Sequence, residues 1–334
     1  MKKIALSFIL LITPLISNAS TFEPQFYAEG QGELISQSDK DFQAKTQLIR
    51  LGSYGFYTAS NFKVKYEVQA QFSDNFRQRD LDEIEVTHGR IILSSDYGSF
   101  VLGRSYSGIY DDIYRRVDIH PSNNGELASS NNMLWEQATY AKNVFAYGTP
   151  RLDLGSGTLR LITSITTPNE NNGVDNDVTT GRIVYTSELL NLSAGITVID
   201  KEMAPEKAYA TENYSRYSFG ADTKLENLTI AILAELTDNP FYVKNGFQSA
   251  ANKTYVGALK YQLNDIKFGA SYQYKTYEGN WGGESQSLIV GSINYKYSDA
   301  LSFFIEGALY NEKPINYNDN YSGDSLSVGF RVKL

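Results

Sequence analysis

Residues 62–72, Phe62-Lys63-Val64-Lys65-Tyr66-Glu67-Val68-Gln69-Ala70-Gln71-Phe72, alternate apolar and polar without a break. An extended chain turns successive side chains to opposite faces. As a strand, this stretch puts Phe62, Val64, Tyr66, Val68, Ala70 and Phe72 on one face, and Lys63, Lys65, Glu67, Gln69 and Gln71 on the other. One face calls for an apolar medium and the other for water. The same two-residue period runs through Phe26–Leu34, Leu228–Leu236, Ile266–Tyr274 and Leu326–Leu334. No segment carries a 3.6-residue apolar stripe of useful length, so the reading is all-β.

The segments are separated by connections of two sizes. Short ones, rich in the Asn, Asp, Gly and Ser that turns require, fall at 58–61, 95–98, 153–157, 187–191, 225–227, 263–265 and 298–300. Longer polar stretches lie between them at 36–43, 73–83, 107–141, 168–180, 200–213, 237–252, 277–285 and 311–323. Seven short turns and eight long loops make fifteen connections and therefore sixteen strands. The first is expected at about 24–35 and the last at about 324–334, which leaves both chain ends on the short-turn side.

Composition narrows the class. The chain has 334 residues, 25 Tyr and 17 Phe, 8 Pro and no cysteine, with 2 His. Thiol chemistry, disulfide frameworks and His/Cys zinc sites are thereby excluded. Thirty basic residues against 38 acidic ones argue against a nucleic-acid partner. At the N-terminus, Lys2 and Lys3 precede an apolar run over Ile4–Ile16, and Ser17-Asn18-Ala19 reads as a small-x-small cleavage site. Residues 1–19 are thus expected to be a secretory signal peptide and 20–334 the mature barrel domain, with a charge of about −10.

Even-numbered strands of about ten residues, with short turns on one rim and long loops on the other, describe a transmembrane β-barrel of the bacterial outer membrane. Hydrocarbon offers no hydrogen-bond partners, so only a closed sheet satisfies every backbone group. Sixteen strands enclose more room than side chains fill, which implies a water-filled lumen. Tyrosines near strand ends, among them Tyr54, Tyr57, Tyr185, Tyr295, Tyr297 and Tyr310, are candidates for interfacial girdles.

Two motifs go further. Tyr97-Gly98-Ser99-Phe100-Val101-Leu102-Gly103-Arg104, followed by Ser105-Tyr106-Ser107-Gly108-Ile109-Tyr110-Asp111, resembles the strand of general porins that ends in Gly-Arg and opens their third loop. Ser327-Val328-Gly329-Phe330-Arg331-Val332-Lys333-Leu334 resembles the terminal strand of the same family, read by the barrel-assembly machinery, with Leu334 where the family usually ends in Phe. The resemblance covers the whole mature chain in layout. It implies a homotrimer in the Gram-negative outer membrane, in contact with lipid and lipopolysaccharide, that passes small hydrophilic solutes and ions by passive diffusion. No catalytic step and no cofactor are implied.

By the family pattern, the 107–141 loop folds into the pore and narrows it. A helical turn is expected near Gly125–Trp135. Strand parity turns Arg50, His88, Arg90 and Arg104 inward, to face loop acids Asp111, Asp112, Asp118 and Glu126 across a constriction, with Arg115 and Arg116 on the same loop. The acidic excess of the mature chain predicts a weak cation preference, opposed locally by Arg50, Arg90 and Arg104. A substrate-specific channel with a row of inward tyrosines such as Tyr27 and Tyr54 is the alternative, and an outer-membrane adhesin or enzyme a more distant one. Against an enzyme, the sequence offers His88 and His120 no persuasive nucleophile partner and no Gly-x-Ser-x-Gly elbow occurs. Oxygen-rich stretches at 172–177 and 318–324 lack the spacing of an EF-hand loop.

Overall fold

The computed structural model describes residues 24–38, 40–72, 85–127, 133–167, 177–201, 212–238, 243–244, 247–248, 251–278, 285–311 and 324–334. The expected signal peptide, the tips of most long loops and nearly all of the 172–177 and 318–324 stretches lie outside the described residues. Sixteen long strands follow in order: β1 Gln25–Gln37, β2 Lys40–Thr58, β3 Phe62–Phe72, β4 Glu85–Ser95, β5 Gly98–Tyr106, β6 Tyr140–Gly148, β7 Gly157–Thr166 and β8 Val178–Ser187. The second half comprises β9 Leu190–Ile199, β10 Tyr214–Leu225, β11 Leu228–Asp238, β12 Asn252–Leu263, β13 Ile266–Tyr277, β14 Ser285–Lys296, β15 Leu301–Asn311 and β16 Ser325–Lys333. Leu152–Asp153 prolongs the wall beside β7, and Val243–Lys244 pairs with Phe247–Gln248 in the loop before β12.

Each strand pairs antiparallel with its sequence neighbours. The wall closes where β1, already bonded to β2, also pairs with β16 from Glu29↔Lys333 to Gln37↔Ser325. Antiparallel meanders need only local turns, and the seven short turns lie where the Gly, Asn and Asp signals put them. At two of them the residue entering the turn, Glu226 and Asn264, takes a positive φ of 52°.

The burial pattern is inverted relative to a soluble protein. Leu102, Leu161, Ile232, Ile289 and Ile305 are about half exposed on the outer face, while Gln31, Gln71, Gln273, Glu235 and Glu306 are buried inside. Exposed apolar side chains in a continuous belt are stable only against lipid. This is a closed sixteen-stranded antiparallel transmembrane barrel.

Three expectations are corrected. The stretch 36–43 is not a long loop: β1 runs to Gln37 and β2 starts at Lys40, with the Ser38 amide donating to the Asp324 carbonyl at 2.8 Å. Ser36 on the outer face and Gln37 and Gln43 on the inner one, beside the exposed Phe42, mark strands extended past the main apolar belt. Tyr54 and Tyr310 are not girdle members either. Tyr54 stands opposite Glu67 on the inner face, and Tyr310 packs inside against Leu134, Leu288, Val290 and Ala308. Tyr295 and Tyr297 do lie exposed near the short-turn rim.

Because Ile232 is at mid-strand on the lipid face, Ile232→Arg should cost about 2–4 kcal/mol in urea unfolding from lipid bilayers, whereas Ile232→Leu should cost less than about 1.5 kcal/mol.

Candidate pore constriction

The Ser107–Thr139 connection enters the barrel because it has its own apolar face. Ile109, Tyr110, Ile113, Tyr114 and Val117 recur at helical spacing, and all five are buried. They fold as a short helix, α1 (Gly108–Asp112), and a 3₁₀ turn at Tyr114–Arg116. The expected turn near 125–135 is replaced by this earlier one; no helix occurs among the described residues of that stretch. The apolar face packs on inward side chains of the wall, Ala231 and Leu233 on β11 and Val256 and Ala258 on β12, together with Met133 and Trp135. Glycines set the approach. A Cβ on Gly195 of β9 would lie 2.6 Å from the Ile109 Cδ1, and one on Gly220 of β10 would lie 2.9 Å from the Ile113 carbonyl oxygen.

Polar latches hold the rest of the loop. Arg116 pairs with Asp222 and donates to the Ser193 hydroxyl at 2.7 Å, and Arg182 pairs with Asp112. Tyr114 donates to Glu235 at 2.5 Å, beside Arg216. Glu136 accepts from Lys275 at 2.8 Å, Asn252 at 2.6 Å and Tyr214 at 2.7 Å. Glu306 accepts from the Ser122 and Asn123 amides at 2.8 and 2.7 Å. His120 lies between the hydroxyls of Ser271 and Ser292 at 2.8 and 2.9 Å. A buried charge is stable only when paired or hydrogen-bonded, and each of these is.

Of the predicted site residues, Arg50 and Glu126 are brought into contact. Arg50 reaches Glu29 at 3.1 Å, Gln71 at 3.0 Å and Glu126 at 3.4 Å. Glu126 also meets Arg115 at 3.1 Å, and Arg115 meets Asp111 at 2.7 Å with its guanidinium 4.8 Å from the Tyr106 ring. The loop therefore touches the basic wall at Arg50 instead of facing it across open water. Arg90 is held by Glu67 through two nitrogens at 2.9 and 2.7 Å, and donates to Ser105. His88 lies edge-on to Tyr106 and Tyr140, which stack on each other at 5.0 Å. Asp112 is tied to Arg182, and Asp118 is buried under Tyr110 and the Gly125 amide.

Arg104 stands apart. The register sets it opposite Gly89, in a row that continues to Val68 on the lipid face, and its carboxylate partner is Glu85 at the start of β4. Gly103, at φ 121° with the neighbouring Gly89 carbonyl where a Cβ would be, forms the irregularity from which β5 bends inward. The Gly-Arg pair marks that bend; among the described residues, no loop acid meets Arg104. Sequence reading missed Lys275, Arg216, Arg182 and Glu306 as latch residues. Glu306, between Phe304 and Ala308, and Arg182 are each the one charge in the inward row of their strand, whereas Arg216 shares its row with Asp222 and Lys224, and Lys275 with Lys267.

Comparison with known proteins follows from this geometry. No protein-family model matches the chain, and no curated protein sequence does. Solved structures match. Salmonella typhi OmpF in complex with daunomycin aligns with a TM-score of 0.75 at 16% identity, over 94% of this chain and 98% of that one. The chain has the porin fold. An anion-selective porin from Comamonas acidovorans shares it at a TM-score of 0.70 and 13% identity, covering 94% and 100% of the two chains. The trimer form of Vibrio cholerae OmpT, an outer membrane protein, does so at 0.68 and 15%, with the same coverage.

Titration of the loop separates its anchors. Burial pushes the Asp118 carboxyl up to about 7, against lowering by the Tyr110 hydroxyl and the Gly125 amide. Burial holds the His120 imidazole down at about 4. Burial also disfavours the Glu136 carboxylate, but Lys275 and Arg216 outweigh it and hold the group at about 2. Asp118, raised above its ordinary 3.8, stabilises the seated loop most at low pH and loses that contribution as pH rises through about 7. His120, lowered from 6.5, contributes above 6.5 and loses it as pH falls through about 4. The two slopes oppose each other between pH 4 and 6.5. Asp118→Asn should therefore make loop protection fall more, or rise less, than in the unsubstituted protein on acidification across that window, measured by amide hydrogen exchange. Glu136→Gln leaves Lys275 without its charged partner and should cost about 3–5 kcal/mol in unfolding measurements, with noisier single-channel current.

Proposed function

We propose that the protein is an outer-membrane porin of the general type, exported through its N-terminal signal peptide, whose lumen passes small hydrophilic solutes and ions by diffusion without a chemical step. The observation that carries this reading is a sixteen-stranded wall, apolar outside and polar inside, with one loop latched within the lumen. Size is limited between the loop and the β2–β5 wall, where Arg115, Asp111 and Glu126 meet Arg50 and the Tyr106–Tyr140 stack. Arg90 and His88 line the wall beside them. A homotrimer is the expected assembly, seated among lipid and lipopolysaccharide, with β16 as the segment recognised during insertion.

The acidic excess of the mature chain supports a weak cation preference overall. Purified protein reconstituted in planar bilayers should give ohmic single-channel steps, and a salt gradient a small reversal potential of cation-selective sign. An anion-selective potential would remove the preference and leave the channel; an absence of conductance would remove the channel.

A second reading has a specific observation behind it. Tyr27, Tyr54 and Phe56 share the inner face, with successive ring centroids 6.3 and 5.9 Å apart, and the Tyr27 ring lies over Gly52, where a Cβ would come within 2.2 Å of it. Such a row suits sugar rings. Saturable block of the current by maltohexaose, relieved by Tyr54→Ala, would favour an oligosaccharide channel; conductance indifferent to the sugar favours the general pore.

A further inference from the structure

Most charges inside the barrel are matched. Arg50, Arg90, Arg115, Arg116, Arg182, Arg216 and Lys275 each meet a carboxylate. The short-turn end of the lumen breaks this pattern. There, Lys260 on β12, Lys267 on β13, Lys296 on β14, and Arg331 and Lys333 on β16 share one sector of the inner wall. A recess of about 270 Å³ opens among Lys267, Lys296, Arg331 and Lys333, with Asn294 and Gln262 between them and the carboxylates of Asp265 and Asp299 on its turn side. It adjoins a second recess of about 170 Å³ directly beneath the loop, which Lys267, Asn294 and Arg331 also line.

The acids of this sector do not neutralise it. Glu29 lies 3.5 Å from Arg331 and 3.7 Å from Lys333, but it is also the partner of Arg50. Asp299, exposed on the turn, pairs with Lys296 at 2.5 Å, and Asp265 lies on the neighbouring turn; both line the recess, and the four cations there outnumber these two carboxylates. Lys260 and Lys267 have no carboxylate within ion-pair distance among the described residues. They face the lumen from adjacent strands, with Lys260 opposite Gly269 and Lys267 opposite Gln262. Like charges on a sheet diagonal repel, and a low-dielectric wall concentrates their field in the cleft between them. A mobile anion relieves that cost.

We propose that this recess binds phosphate-bearing solutes. The donors suit a doubly charged group with several oxygens: lysine ammonium groups act as point charges, and the Asn294 amide supplies directional hydrogen bonds, while the Gln262 amide donates to the Asn264 carbonyl at 2.5 Å and keeps one hydrogen beyond that bond. Arg331 is preorganised, because its Nε and Nη2 donate to the Gln31 side chain at 2.8 and 2.5 Å, leaving Nη1 for a ligand. The site rests on the porin reading only for how ligand arrives. The local basic sector coexists with an acidic chain because the acids are concentrated elsewhere in it.

Isothermal titration of pyrophosphate into the full, detergent-folded protein at low ionic strength tests the site independently of conductance. Saturable binding is expected, weakened about fivefold by Lys267→Gln, further by the Lys260→Gln/Lys267→Gln double variant, and progressively by added NaCl. Lys253→Gln, at the opposite rim, should leave it unchanged. Neither Lys260 nor Lys267 makes an ion pair among the described residues, so the barrel should fold in both variants, as heat-modifiable gel migration would report. No saturable binding, or binding indifferent to the lysine variants, or binding lost equally with Lys253→Gln, overturns the site. Planar-bilayer recording on the same samples keeps the two readings apart: conductance without pyrophosphate binding sinks the site alone, and binding without conductance sinks the porin alone.

Discussion

The whole molecule follows from the seam between β1 and β16. Inside a bilayer an unpaired backbone amide or carbonyl costs several kcal/mol, because hydrocarbon supplies no partner. An open sheet would leave two such rows. Here β1 spends one edge on β2 and the other on β16, over register pairs that run from Glu29↔Lys333 to Gln37↔Ser325. Once the sheet is closed, its two faces have different solvents. Apolar side chains on one face and polar side chains on the other are then required at every strand, and the inverted burial pattern is the outcome.

A closed polar lumen creates the next requirement. A loop placed inside it cannot be held by a general hydrophobic core, because the wall offers mostly amides, hydroxyls and charges. The 107–139 connection solves this locally. Ala231, Leu233, Val256 and Ala258 form an apolar island on the inner wall, and α1 with the following turn covers it. Leu288, Val290 and Ala308 form a second, covered by Leu134. Between these islands the loop is fixed by ion pairs and by carboxylates that accept backbone amides, as Glu306 does from Ser122 and Asn123. Both kinds of contact depend on exclusion of water, so each supports the other: the island dries the latch, and the latch fixes the island's lid.

Sequence alternation carried the wall and its turns, because a two-residue period and turn chemistry are local properties. The inner islands were not legible in the same way. Leu233 and Val256 stand at positions that parity assigns to the lumen, and an apolar residue there looks like noise until the loop that covers it is in place. The same blindness hid the helix, since Ile109 to Val117 gives barely two turns of stripe beside two Asp and two Arg. Tyr54 and Tyr310 differ for a related reason: nearness to a strand end suggests a girdle, but the face is decided by parity, and the inward Arg50 on β2 and Glu306 on β15 put both tyrosines inside. Likeness to the family segment sets Arg104 inward, whereas its own strand places it in the row of Phe100 and Leu102, next to the positive-φ Gly103.

Charge obeys the same division between global and local. The chain is acidic as a whole, yet the side chains that a solute would meet on leaving the loop toward the short turns are basic. At physiological ionic strength the field of an exposed charge fades within about 8 Å, so acids on distant loops do not compensate Lys260 and Lys267 across the lumen. Paired charges such as Arg90 with Glu67 contribute little beyond their own contact. What a permeating ion senses is therefore the short list of charges left over after pairing, position by position along the lumen, and in the described barrel those remainders in the β12–β16 sector are cationic. The acidic excess of the chain and this cationic sector therefore act in opposite senses, the first on the field at the mouths of the barrel and the second on the few ångströms beside Lys260 and Lys267.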